Sequence, residues 1–197
     1  MNWVDHELRL FGHRGASARL PENTMESFGR AIEDGATALE LDVHLSRDGH
    51  VVVAHDPHGQ RMASCSDSIC DCSLEELSNW DVGSTFAATG DQVSRIPTLI
   101  EVLDNFPGVP ISVDLKPKDP RIAESVLKTV RSFNAEHFVT VGSFHGSIVH
   151  RLRNLGYCGP TALTRAEIVI SRLLPPALGR SRIRGQAAMI PRRSGPI

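Results

Sequence analysis

Four short stretches hold side chains that could bind a phosphate or a cation and move protons: His13-Arg14, Glu40-x-Asp42, His55-Asp56 and Asp114-x-Lys116. In Leu39-Glu40-Leu41-Asp42-Val43, the two-residue period of a strand sends the aliphatics to one face and both carboxylates to the other. Neighbouring buried carboxylates repel each other and lose hydration, so they persist most readily with a cation between them. The same period places Asp114 and Lys116 on one face of residues 111–116. Each feature has a plainer reading. A strand-end histidine is usually structural, an E-x-D strand can be a solvated edge, and Asp114 with Lys116 can be a simple ion pair. Their conjunction at the ends of different strands is what points to a site.

Those strands follow from the hydrophobic pattern. Residues 8–13, 38–43, 50–55, 110–115, 138–143 and 159–164 are short runs rich in Val, Ile and Leu, and 186–190 is a weaker seventh. Helical patterns lie between them. Asn23 with Glu26, Ser73 with Glu76 and Thr98 with Glu101 have capping-box spacing. Asp119-Pro120 opens a helix with Ile122, Val126 and Val130 on one stripe, and Ile148, Leu152 and Leu155 before Gly156 mark another. Alternating strands and helices imply a parallel sheet covered by helices, and the absence of a G-x-G-x-x-G or Walker loop after the first strand favours a barrel over an open sheet. In a barrel, strand ends gather at the C-terminal rim, where sites of this architecture form. The expected organisation is one domain over 1–197, with an insertion at 56–81 and a basic segment at 165–197.

Composition narrows the functional classes. A net charge of −2 over 197 residues argues against a nucleic-acid partner. Nine of the 21 Lys/Arg but only one of the 23 Asp/Glu lie in 151–197, a solvated basic face or a phosphate or membrane-surface contact. The N-terminus lacks the charge and apolar run of a signal peptide, and no stretch approaches the roughly 18 apolar residues of a membrane span. A cytoplasmic location is therefore expected, with the four cysteines as reduced thiols; Cys65-x4-Cys70-x-Cys72 fits no zinc pattern.

Taken in order, His13-Arg14-Gly15, Pro21-Glu22-Asn23-Thr24, Glu40-x-Asp42, Asp48-Gly49, His55-Asp56, Ile96-Pro97-Thr98-Leu99, Asp114-x-Lys116 and Ser143-Phe144 resemble the running signature of glycerophosphodiester phosphodiesterases, over roughly residues 8–165. The resemblance implies a TIM-type (β/α) barrel that hydrolyses glycerophosphodiesters to glycerol 3-phosphate and an alcohol. It implies His13 and His55 as the acid/base pair and Arg14 and Lys116 as phosphate-holding groups. Glu40, Asp42 and Asp114 would be ligands of a divalent ion, and Glu22 and Asn23 would support the site. Oxygen donors without cysteine suit Mg²⁺ or Ca²⁺. Two other readings stay open: a lysophospholipase D-like enzyme acting on lysolipids, and an inactive barrel that binds only metal or phosphate.

The chain departs from that signature in two places. Asp114 stands where the family usually has Glu, which shortens its reach toward an ion. The closing strand has no counterpart, so the expectation is an incomplete barrel of about seven strands. A homodimer would then cover its open edge.

Overall fold

The computed structural model describes residues 9–86, 93–173, 175 and 183–187. Strand β1 (Phe11–His13) leads through a loop to helix α1 (Met25–Glu33), then β2 (Ala38–Leu45) and β3 (Val51–Val53). A short 3-10 turn (Ile69–Asp71), α2 (Leu74–Ser78) and α3 (Leu99–Asn105) precede β4 (Ile111–Leu115), α4 (Arg121–Ser132), β5 (Val139–Gly142), α5 (Gly146–Asn154) and α6 (Arg165–Leu173). The parallel order is β1-β2-β4-β5. Parallel bridges from Val141 to Thr161 and from Ala162 to Ala187 carry it further. This is an incomplete α/β barrel, and Ala187 belongs to the weak seventh candidate, whose residues 188–190 lie outside the described ones.

Strand alternation sorts the side chains as expected. Leu39, Leu41 and Val43 are fully buried beneath the helices, beside Phe28 of α1, Leu99 and Leu103 of α3, Ile122, Val126 and Val130 of α4, and Leu152 of α5. Each such side chain contributes about 1.5–3 kcal/mol on burial. The capping boxes at Ser73/Glu76 and Thr98/Glu101 both form. A third joins Thr164 to Glu167 at the start of α6.

Two expectations about the sheet need correction. Residues 50–55 do not make a parallel stave: β3 folds back antiparallel on β2, pairing Val53 with Val43. The turn explains it, since five residues around Asp48-Gly49, with Gly49 at φ 88°, suffice for a hairpin but not for a parallel crossover. Among the described residues, 159–164 bridge the sheet through Thr161 and Ala162 alone. Pro160 lacks a backbone donor, and Gly159 is pressed so closely against the Glu136 carbonyl that a Cβ would lie 2.1 Å from it.

The segment between β3 and α3 packs a second, smaller core. Met62, Ile69, Cys72, Leu77 and Trp80 pack with Val52, Ala54 and Ile96 against the hairpin.

Candidate active site

Strand register builds the site in two layers. His13 of β1 is level with Glu40 of β2, Ser112 of β4 and Thr140 of β5. One step nearer the strand ends, Asp42, Asp114 and Gly142 are level. All face away from the helix-covered aliphatics, so the sheet period delivers Glu40, Asp42 and Asp114 to one interior. Asp42 and Asp114 are 1% and 4% exposed. Buried carboxylates at that depth need cations. Lys116, just past β4, supplies one: its Nζ lies 2.7 Å from Asp42 Oδ1 and 2.8 Å from Asp114 Oδ2. Burial alone would lower the Lys116 ammonium, but the two carboxylates outweigh it and raise its pKa.

The first βα loop turns back onto the same carboxylate. Arg14 Nε lies 3.1 Å from Asp42 Oδ2, an ion-pair contact in which the N–H is not aimed for a hydrogen bond. Asn23 Nδ2 donates to Asp42 Oδ2 at 3.1 Å, and its Oδ1 accepts from the Asp42 N–H at 3.4 Å. Asn23 is therefore not the cap of α1. Thr24 is, accepting from the Ser27 N–H at 3.3 Å. Asn23 is a left-handed residue, a conformation that asparagine tolerates better than most side chains.

His55 reaches the rim through the β3 hairpin. Its Nδ1 sits 2.6 Å from Asp56 Oδ1. Asp56 is held in turn by Arg61 Nε at 2.5 Å, while Arg61 Nη2 donates to Glu22 Oε1 at 2.6 Å. Arg14 Nη1 reaches the same Glu22 oxygen at 3.2 Å. Burial would raise both acids, but Arg61 and His55 pull Asp56 down to about 2, and Arg61 with Arg14 pull Glu22 below its ordinary value. The sequence reading missed Arg61: an arginine five residues along a loop has no periodic signature that ties it to a distant glutamate.

His13 is open, with a side chain 69% exposed, and its Nε2 lies 3.7 Å from Glu40 Oε2. Partial burial and then Arg14 lower its pKa. Glu40 is pushed up to about 7, first by burial and then by the Asp42 charge, with the Arg14 N–H at 3.1 Å opposing.

Whether a divalent ion fits can be judged from these contacts. The donors are oxygens of the right kind, and Glu40 is a buried acid whose ionisation a neighbouring cation would restore. The trio is not preassembled, however. Among the described residues no three acidic, histidine or cysteine side chains stand ready to share an ion, because Lys116 occupies the gap between Asp42 and Asp114. Glu40 is placed to take an ion, while Asp42 and Asp114, both engaged by Lys116, can join only by releasing it.

The glycerophosphoryl diester phosphodiesterase family model matches residues 13–158. A glycerophosphodiester phosphodiesterase of Caldanaerobacter subterraneus is 37% identical over 69% of this chain and 58% of its own length. A human lysophospholipase D is 34% identical over 71% of this chain and 46% of its own. The chain thus spans about half the length of these curated relatives. Among solved structures, a glycerophosphodiester phosphodiesterase from Agrobacterium tumefaciens superposes with a TM-score of 0.71 at 26% identity, covering 79% of this chain and 66% of the other. An Oleispira antarctica phosphodiesterase, solved with its product sn-glycerol-3-phosphate, also gives 0.71 at 26% identity, over 79% and 65% of the two chains. By motif order, by fold and by family match, this chain belongs to the glycerophosphoryl diester phosphodiesterase family.

Proposed function

We propose that the chain hydrolyses glycerophosphodiesters to glycerol 3-phosphate and an alcohol. One observation carries the reading: Arg14 and Lys116, from different strand ends, meet on Asp42, while His13 ends β1 and His55 follows β3 of the same sheet. Two cations there can take the two anionic oxygens of a phosphodiester. One imidazole accepts the proton of the attacking hydroxyl as the new P–O bond forms. The other gives a proton to the departing alkoxide as the old bond breaks. Asp56 on His55 Nδ1 fixes that ring's orientation and leaves Nε2 for the transfer. Each proton transfer is worth about 10²–10⁴ in rate, or roughly 5–11 kcal/mol together, against about 8–23 kcal/mol for enzymes generally. Electrostatic stabilisation must supply the remainder.

Mg²⁺ or Ca²⁺ held by Glu40, with Asp42 and Asp114 joining on release of Lys116, would supply part of it by drawing charge from the phosphoryl oxygens. If the substrate's own glycerol hydroxyl attacks, the alcohol leaves and a cyclic glycerol phosphate remains; water must then add to phosphorus and break one ring P–O bond, with the two imidazoles exchanging acid and base roles, to give glycerol 3-phosphate. The wall beside His55 is apolar, formed by Val53, Ala54, Met62, Val82 and Ile96, with Glu22 and Asn23 at its edge, so a lysolipid substrate remains the second reading. Phosphorus-31 NMR of glycerophosphocholine incubated with the protein and Mg²⁺ or Ca²⁺ tests the proposal. Glycerol 3-phosphate is expected; phosphocholine as the phosphorus-containing product would overturn it.

A further inference from the structure

Beyond β5, Phe144 projects from the rim with 58% of its surface exposed. Two cations approach its ring: Lys116 Nζ and Arg165 Cζ are each 5.8 Å from the centroid. The two cations differ. Lys116 is neutralised by Asp42 and Asp114. Arg165 is exposed, and among the described residues its contact is the ring alone. It also opens α6 (Arg165–Leu173), where the helix dipole already presents positive potential and a cation is disfavoured. Its field adds to that of the helix end and falls on the rim beside Lys116.

We propose that Arg165, across Phe144, sets head-group preference: the site takes diesters whose alcohol portion carries a second anionic group and discriminates against quaternary ammonium alcohols. The inference rests on the phosphodiesterase reading. With a phosphate on Lys116, an ester arm running along Phe144 would approach Arg165. The two cations are no more than twice 5.8 Å apart, a span within reach of a second phosphate or a carboxylate on the alcohol. A choline group on the same path meets a like-charged guanidinium beside a ring already engaged by cations. At a separation of about 6 Å near the surface, Coulomb's law with partial screening makes the difference roughly tenfold in affinity.

Calorimetric binding to the full chain carrying His55→Ala, which suppresses turnover, tests this. The probes are bis(glycerophospho)glycerol, glycerophosphoglycerol and glycerophosphocholine, with or without Arg165→Gln or Arg165→Lys. The anionic diester is expected to bind about tenfold more tightly than the choline diester at low salt. Arg165→Gln should bring the two within about twofold, as should about 0.3 M salt, while Arg165→Lys keeps most of the preference and glycerophosphoglycerol, whose alcohol is uncharged, shifts little. An unchanged ratio in Arg165→Gln, a ratio near one with arginine present, or no binding of any diester overturns the proposal. Turnover by the unaltered chain is measured separately. Binding with the expected preference but without hydrolysis would sink the reaction assignment and leave the preference standing.

Discussion

Arg14 and Asn23 both adopt left-handed backbones, at φ 57° and 59°, and both direct a nitrogen to the same atom, Asp42 Oδ2, each at 3.1 Å. Their backbones are joined as well, with Asn23 N–H donating to the Arg14 carbonyl at 3.0 Å. Non-glycine residues in this region cost on the order of 1–3 kcal/mol each, so the loop stores strain where it grips the acid.

That strain gives a prediction separating function from stability. Asn23→Gly removes the amide but accepts the backbone conformation, so the melting temperature should stay within about 3 °C while kcat/KM falls at least about tenfold. Asn23→Ala keeps the strain and loses the hydrogen bonds, and should lower both. Thermal melts beside steady-state kinetics decide; a Gly variant with full activity would remove Asn23 from the site.

Asp56 is held ionised by Arg61 and orients His55. Asp56→Asn should lower kcat by about 10²-fold or more, with KM within about threefold, because the ring's orientation matters to proton transfer and not to phosphate contact. An equal rise in KM would instead assign Asp56 to substrate binding.

Ion binding should depend on Glu40 more than on Asp114. Calorimetry with Mg²⁺ and Ca²⁺ is expected to show at least about tenfold weaker binding for Glu40→Gln, and a smaller loss for Asp114→Asn, since Asp114 is already engaged by Lys116. The reverse order would place the ion nearer β4.

Away from the site, Arg153 and Glu167 form a buried pair, with Nη1 to Oε1 at 2.9 Å and exposures of 9% and 4%. Arg153 also donates to Thr161 Oγ1 and the Ala162 carbonyl, and Glu167 accepts from the backbone of Arg184 and Gly185. Burial would raise Glu167, but Arg153 and the N–H donors hold it at about 2, below its usual 4.5. A depressed folded-state value means the stabilisation is complete above pH 4.5 and is lost as pH falls toward 2. Glu167→Gln should cost about 3–5 kcal/mol at neutral pH, by stranding a buried guanidinium, and should flatten stability between those pH values. Denaturant melts across pH 2–7 check both.

Much of this was legible in the sequence, for physical reasons. Alternation in residues 38–43 fixed which face Glu40 and Asp42 share, and the Ser73 and Thr98 boxes form as spaced. Where reading failed, the cause was non-local or ambiguous. Residues 51–53 are aliphatic enough for either a stave or a hairpin, and only the short turn before them decides. Asn23 and Thr24 are both good caps, and the pull of Asp42 on Asn23, 19 residues away, settled the contest. Thr164-x-x-Glu167 carried a box signal that went unread, while the Arg153 partnership had no local signal at all.

The central claim is that His13 and His55 act as one proton-transfer unit beside a phosphate held on Arg14 and Lys116. Turnover of glycerophosphocholine by the unaltered chain, His13→Ala, His55→Ala and the double variant measures it directly. The account predicts release of glycerol 3-phosphate, a loss of about 10²–10⁴ in kcat for each single variant, and little further loss in the double. Single variants that keep most of the activity, or losses that simply multiply, would contradict it.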